Sequence, residues 1–142
     1  MPCPFFFPTQ KFEAIAVPHR ARLPLRDGWS GQCTAPGHEG YLPGPQELAD
    51  GCNLGYAKDC PRFPQQRAYD AIRFGIARDD KEAVLLTYVC EAAHLPVEHG
   101  TLKYVAGRWL SPHADSRLQR MAECYLQTYL SQRNESQPEQ SS

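Results

Sequence analysis

Four of the six cysteines, Cys3, Cys33, Cys52 and Cys60, fall in a first stretch that also holds most of the chain's proline and glycine. That pairing restricts the fold more than any other feature. Proline fixes φ and removes a backbone donor, glycine loses more freedom than other residues on ordering, and a stretch rich in both builds regular elements poorly. Residues 1–67 show neither a sustained helical period nor a sustained strand period, so the sequence predicts loops with short helices there. Long loops without regular structure are uncommon in compact domains unless something ties them down. A metal held by the cysteines is the expected tie, because ligand free energy becomes folding free energy in small sites.

The opening residues Met1 to Pro8 are apolar but lack the basic start, sustained apolar run and small-residue cleavage site of a secretory signal. No stretch approaches the roughly 20 apolar residues that a spanning helix needs. The expectation is a soluble, cytoplasmic protein with no membrane partner, whose thiols stay reduced. Three disulfides would suit the even cysteine count only in an exported chain. With 15 Lys plus Arg against 16 Asp plus Glu, no whole-molecule field would draw the protein onto nucleic acid or an anionic surface.

The fold class expected is α+β, in a single domain over residues 1–133: the cysteine-rich region 1–67, a small antiparallel sheet within 69–105, and an amphipathic helix over 115–133. Pro45 can open a short helix running toward Tyr56, with Leu48, Cys52 and Tyr56 on one face. Strands are predicted at 71–77, 83–90 and 101–105, with Arg78 to Lys81 supplying a turn and Pro96 and Gly100 a bend before the third strand. Asp115 or Ser116 can cap the last helix, where Leu118, Met121, Ala122, Tyr125, Leu126, Tyr129 and Leu130 recur at helical spacing. Residues 134–142 are polar, without an apolar anchor, and read as a disordered tail.

Spacing decides which metal the cysteines suit. Between Cys3 and Cys33 lie 29 residues, between Cys33 and Cys52 lie 18, and between Cys52 and Cys60 lie 7. Structural zinc is usually held by close Cys-x₂₋₄-Cys pairs, and there is none. An iron–sulfur cluster is a wider object whose four thiolates arrive from separate loops, often with proline after one cysteine, as in Cys3-Pro4 and Cys60-Pro61. The expected cofactor is a [4Fe-4S] cluster on Cys3, Cys33, Cys52 and Cys60. The alternative is zinc on Cys33, His38, Cys52 and Cys60. Arg22 and Arg62 would offset thiolate charge, while Trp29, Tyr41, Tyr56 and Phe63 would exclude water.

Other chemistry has thinner support. Glu91 and His94 stand at the spacing used by di-iron helix bundles, but in one copy and on a predicted strand. With His99 they define a rival reading, a redox or metal-dependent enzyme. The basic run Arg20 to Arg26, flanked in the chain by Trp29 and supplemented by Lys58, Arg62, Arg67 and Phe63, defines another, a zinc-stabilised module binding nucleic acid or protein. Cys90 and Cys124 are expected to pack as small hydrophobes. Signatures of α/β-hydrolases, P-loop proteins, dinucleotide-binding folds and HExxH zinc proteases are missing. The favoured reading is a small iron–sulfur protein that passes electrons to a protein partner or braces an interaction surface.

Overall fold

Val84, Leu86 and Cys90 alternate along one face of a strand, and that face must be covered to escape water. The computed structural model, which describes residues 3–12, 23–53 and 60–136, shows how. In chain order the elements are β1 (Phe6–Lys11), β2 (Trp29–Cys33), α1 (Pro45–Glu47) continued by a π turn (Leu48–Cys52), β3 (Ala71–Asp79), β4 (Ala83–Ala92), β5 (Leu95–Val105), β6 (Arg108–Trp109) and α2 (Ser116–Ser136). Strands β3 to β6 form an antiparallel sheet in sequence order, and β1 and β2 form a separate antiparallel pair. The α+β expectation stands.

Helix α2 covers the larger sheet with the stripe its sequence predicts. Leu118, Met121, Ala122, Tyr125 and Leu126 are buried against Ile72, Phe74, Val84, Leu86 and Leu102. Asp115 is the cap, its carboxylate accepting the Arg117 N–H at 3.0 Å. Near its other end Tyr129 and Arg133 both donate to the Asp79 carboxylate at 2.7 Å. The helix runs on to Ser136, past the point where a tail was expected; residues 137–142 lie outside the described part.

The sheet departs from expectation at β5, which begins at Leu95 and carries Pro96 and Gly100 inside it. Pro96 is tolerated because β5 at that end pairs with β4 alone, so an edge position needs no donor on its outer side. Gly100 lies opposite Tyr88, and a Cβ there would stand 2.7 Å from the Tyr88 hydroxyl. The bend comes earlier, in a tight hairpin at Ala93 and His94, both in the left-handed region.

The front of the chain is also more regular than its composition suggests. Instead of loops alone it contains the β1–β2 pair, broken by a bulge at Pro8 to Gln10 where proline cannot donate. Gly31 is required there, since a Cβ would fall 2.0 Å from the Phe7 carbonyl oxygen. Arg120 of α2 donates to the carbonyls of Pro8 and Thr9 at 2.7 and 2.9 Å, fastening the pair to the helix. Phe6, Leu25, Trp29 and Leu48 join the same hydrophobic core as α2 and the larger sheet. A few large side chains thus supply the burial that a count of prolines and glycines hides.

Candidate metal centre

Two of the four N-terminal cysteines open the same kind of turn. In Cys3-Pro4-Phe5-Phe6 the Phe6 N–H donates to the Cys3 carbonyl at 3.0 Å, and in Cys60-Pro61-Arg62-Phe63 the Phe63 N–H donates to the Cys60 carbonyl at 3.1 Å. Proline at the second turn position presets φ where no donor is needed. Cys-Pro-x-Phe is therefore one structural unit used twice, a repetition that sequence reasoning passed over by stopping at Cys-Pro. The rings of Phe5 and Phe63 meet edge to face with centroids 6.0 Å apart, which brings the two turns together.

The other two cysteines reach the same place by backbone pairing. Cys33 ends β2 opposite Phe6, and the next residue, Thr34, donates both its N–H and its hydroxyl to the Phe5 carbonyl at 2.7 Å. The Cys33 sulfur accepts the Ala35 N–H at 3.5 Å. Cys52 ends the π turn, and its carbonyl accepts the Cys3 N–H at 3.1 Å. Beside it the buried Asn53 acts as a strand partner: its Oδ1 accepts the Trp29 N–H, and its Nδ2 donates to the carbonyls of Trp29 and Leu48, at 2.9 to 3.0 Å. Asn53 holds the end of the turn against β2, and nothing in the sequence singled it out.

The thiols form one electrostatic neighbourhood. Burial pushes the Cys3 thiol up to about 11, opposed by the Phe5 and Phe6 N–H groups and reinforced by neighbouring Cys33 and Cys60. Burial likewise pushes Cys52 up to about 12, with Cys3, Cys60 and Cys33 adding to the rise. All six cysteines are free thiols. Among the described residues no group of three or more His, Cys, Asp or Glu side chains is arranged to hold a metal ion. The four thiols influence one another electrostatically, but they are not arranged as a metal-holding group.

Arg62 stands at the edge of the group. Its guanidinium lies over the Tyr41 ring at 3.9 Å, pairs with the Glu47 carboxylate, and feels the charge of Cys60. Tyr41 donates its hydroxyl to the other Glu47 oxygen at 2.7 Å. The Nε of Arg62 is buried and has no hydrogen-bond partner among the described residues. His38, the alternative ligand, is exposed in the loop between Cys33 and Tyr41. Arg22, Tyr56 and Lys58 lie outside the described residues.

The rival constellations are differently placed. Glu91 faces Arg73 at 3.3 Å, His94 is exposed in the β4–β5 turn, and His99 is exposed opposite Val89; they form no metal-holding group. Of the basic run, Arg26 is turned inward, with its Nε bonded to Gln132 at 2.6 Å and its guanidinium over Tyr125 and Tyr129. Trp29 is 1% exposed and so is not open for stacking on a base, and Arg67 lies over the partly buried Phe63 ring at 4.2 Å. Arg20 lies outside the described residues. Cys90 and Cys124 are fully buried, as expected of small hydrophobes. Among the described residues no helix is long and apolar enough to cross a membrane. No protein-family model, no curated protein and no solved structure matches the chain.

Proposed function

We propose that Cys3, Cys33, Cys52 and Cys60 ligate a [4Fe-4S] cluster and that this chain is a small iron–sulfur protein exchanging single electrons with a protein partner. The observation that carries the reading is the shared neighbourhood of these four thiols, delivered by four separate backbone segments. Holding reduced thiols side by side in a half-buried place gains little by itself. Iron would offset the charge of the four thiolates once they lose their protons, and a cluster is a wider object than a single ion. The Phe5 N–H beside Cys3 and the Ala35 N–H on the Cys33 sulfur are the kind of groups that stabilise bound thiolate. Cys33, Cys52 and Cys60 are only partly buried, which leaves one side of such a centre near the surface, where a redox partner docks.

Anaerobically purified protein tests this directly. The expected material is brown, with about four iron and four acid-labile sulfide per chain. Colourless protein with one zinc per chain, or with less than about one iron and one sulfide, overturns the reading.

A further inference from the structure

An edge strand carries backbone donors and acceptors that water satisfies until another strand takes its place. Strand β5 is an edge over much of its length. Its outer side is covered by β6 at Tyr104 and Val105 and, one step further, by the Leu110 N–H, which donates to the Lys103 carbonyl at 2.9 Å. That bond fixes the direction of the residues before it. In an antiparallel strand the N–H and C=O of one residue point to the same side, and those of its neighbours to the other. The β4–β5 register runs without a shift from Glu98 to Val105, so Lys103, Thr101 and His99 point outward while Leu102, Gly100 and Glu98 point to β4. Among the described residues no backbone group pairs with the outer side of His99 or Thr101.

Edges are commonly blunted by proline, charge or a bulge. Pro96 and the unpaired Val97 do this at one end of β5 and Leu110 closes the other, but the stretch between stays open. Both ends carry exposed apolar side chains, Val97 at 56% and Leu110 at 57%. We propose that this edge pairs with the same edge of a second copy of the chain, antiparallel about a two-fold axis at Gly100, giving a homodimer with one continuous sheet. The register that sets His99 against Thr101 of the second copy engages both outward residues of each chain. A shift either way sets one of them against the Val97 bulge or against Lys103, whose carbonyl Leu110 already holds. The axis then passes between two glycines, at a non-hydrogen-bonded pair where Cα atoms come within about 4.5 Å and side chains crowd most. The same register brings Val97 of the second copy level with Lys103, beside Leu110, so each exposed apolar side chain meets one from the other copy. An isologous contact of this kind closes on itself and stops at two chains. Such a dimer needs no cluster, and its failure would leave the cysteine site untouched.

The test is sedimentation velocity on the full chain over a concentration series, with hydrogen exchange read residue by residue. The contact is short, so the expected Kd is on the order of 10 μM, with the wild type mostly dimeric at about 100 μM. At that concentration the His99 and Thr101 amides should exchange slowly and on dilution quickly, whereas those of Gly100 and Leu102, which face β4, stay slow throughout. Leu110→Asp should weaken the dimer at least about tenfold, because it sets a carboxylate in an apolar contact. Thr101→Pro removes an outward donor where an edge strand accepts proline, and should give a monomer with the wild-type circular dichroism. Leu42→Asp alters a 72% exposed leucine of the front half and should match wild type. Wild-type protein that stays monomeric at about 100 μM overturns the dimer. A dimer with fast exchange at His99 and Thr101, one that Leu110→Asp leaves at full strength, or one that Leu42→Asp weakens equally, places the contact elsewhere and overturns this edge. Should Thr101→Pro not fold, Leu110→Asp and the exchange pattern decide.

Discussion

Cys52, near the front of the chain, and Cys124, on α2, are both thiols pushed up to about 12 by burial, yet their surroundings differ in kind. Around Cys52 the next influences are three other cysteines. Around Cys124 they are Arg120 and Glu123, and around Cys90, also raised to about 12, they are Glu98 and Asp115. A buried thiol is ordinary core material; a buried thiol among thiols is an arrangement that hydrophobic packing has no reason to produce. The two halves of the molecule share one core, but only the front half gathers its cysteines.

The sharpest way to break that comparison is to replace one cysteine from each half. Cys52→Ser is expected to drop iron from about four to below one per chain, because a [4Fe-4S] cluster needs all four thiolates in the common case. Cys124→Ser should keep the full iron complement and lose only stability, since it places a hydroxyl among apolar neighbours. Iron analysis of the two proteins side by side decides, and equal retention would erase the distinction between the halves.

The shared core gives the next effect in size. Leu118 is fully buried at the start of α2, in the cluster that also contains Phe6, Trp29 and Leu48. Leu118→Ala is expected to cost about 2–5 kcal/mol in urea denaturation. In a Trp109→Phe background, Trp29 fluorescence reports the front half, and its transition should shift together with the far-ultraviolet signal. A shift in the circular dichroism alone would show that the halves unfold separately.

Asn53→Ala sharpens the comparison at one residue. The amide is 1% exposed and satisfies both the N–H and the carbonyl of Trp29 as well as the Leu48 carbonyl. Its loss leaves buried backbone groups unpaired, at about 1–3 kcal/mol. Asp115→Ala, which removes the α2 cap, should cost about 1 kcal/mol and leave cluster content unchanged. Asn53→Ala should lower both stability and iron retention, because it frees the turn that carries Cys52.

What could be read in advance follows the same division. The α2 stripe and its Asp115 cap are legible because a 3.6-residue period and a capping side chain are local signals. Strands β3 and β4 are legible from runs such as Val84 to Val89. The start of β5 is hidden because Pro96 reads as a strand breaker, whereas a position paired on one side only tolerates it. Strands β1 and β2 left no usable trace: Pro8 interrupts the first, Ser30, Gly31 and Gln32 dilute the second, and only their pairing with each other makes them strands. At the centre, crowding of the cysteines was visible from composition. The Asn53 bridge was not, since an asparagine that mimics a strand partner looks like any loop asparagine until its partners are placed.

The smallest expected effect at neutral pH concerns how each half limits the metal-free protein. Cys3 and Cys52 hold their protons up to about 11 and about 12, whereas the unfolded thiol releases its own at about 8.5. Between those values the folded chain binds more protons than the unfolded one, so their contribution is complete below about pH 8.5 and is lost as pH rises toward the folded values. Carboxylates of the larger sheet and helix act at the other end. Burial works against the Asp79 charge, but hydrogen bonds from Arg133, the Lys81 N–H and Tyr129 hold its carboxyl below the ordinary value. The unfolded chain therefore takes up the proton first, and this contribution is lost as pH falls from about 4 through the folded value. Urea titrations across pH should show Cys52→Ser flattening the alkaline limb alone and Asp79→Asn flattening the acid limb alone. If Cys52→Ser left the alkaline limb unchanged, the Cys52 thiol would not be held protonated in the folded chain, and the electrostatic contrast between the halves would fail where it is most directly measured.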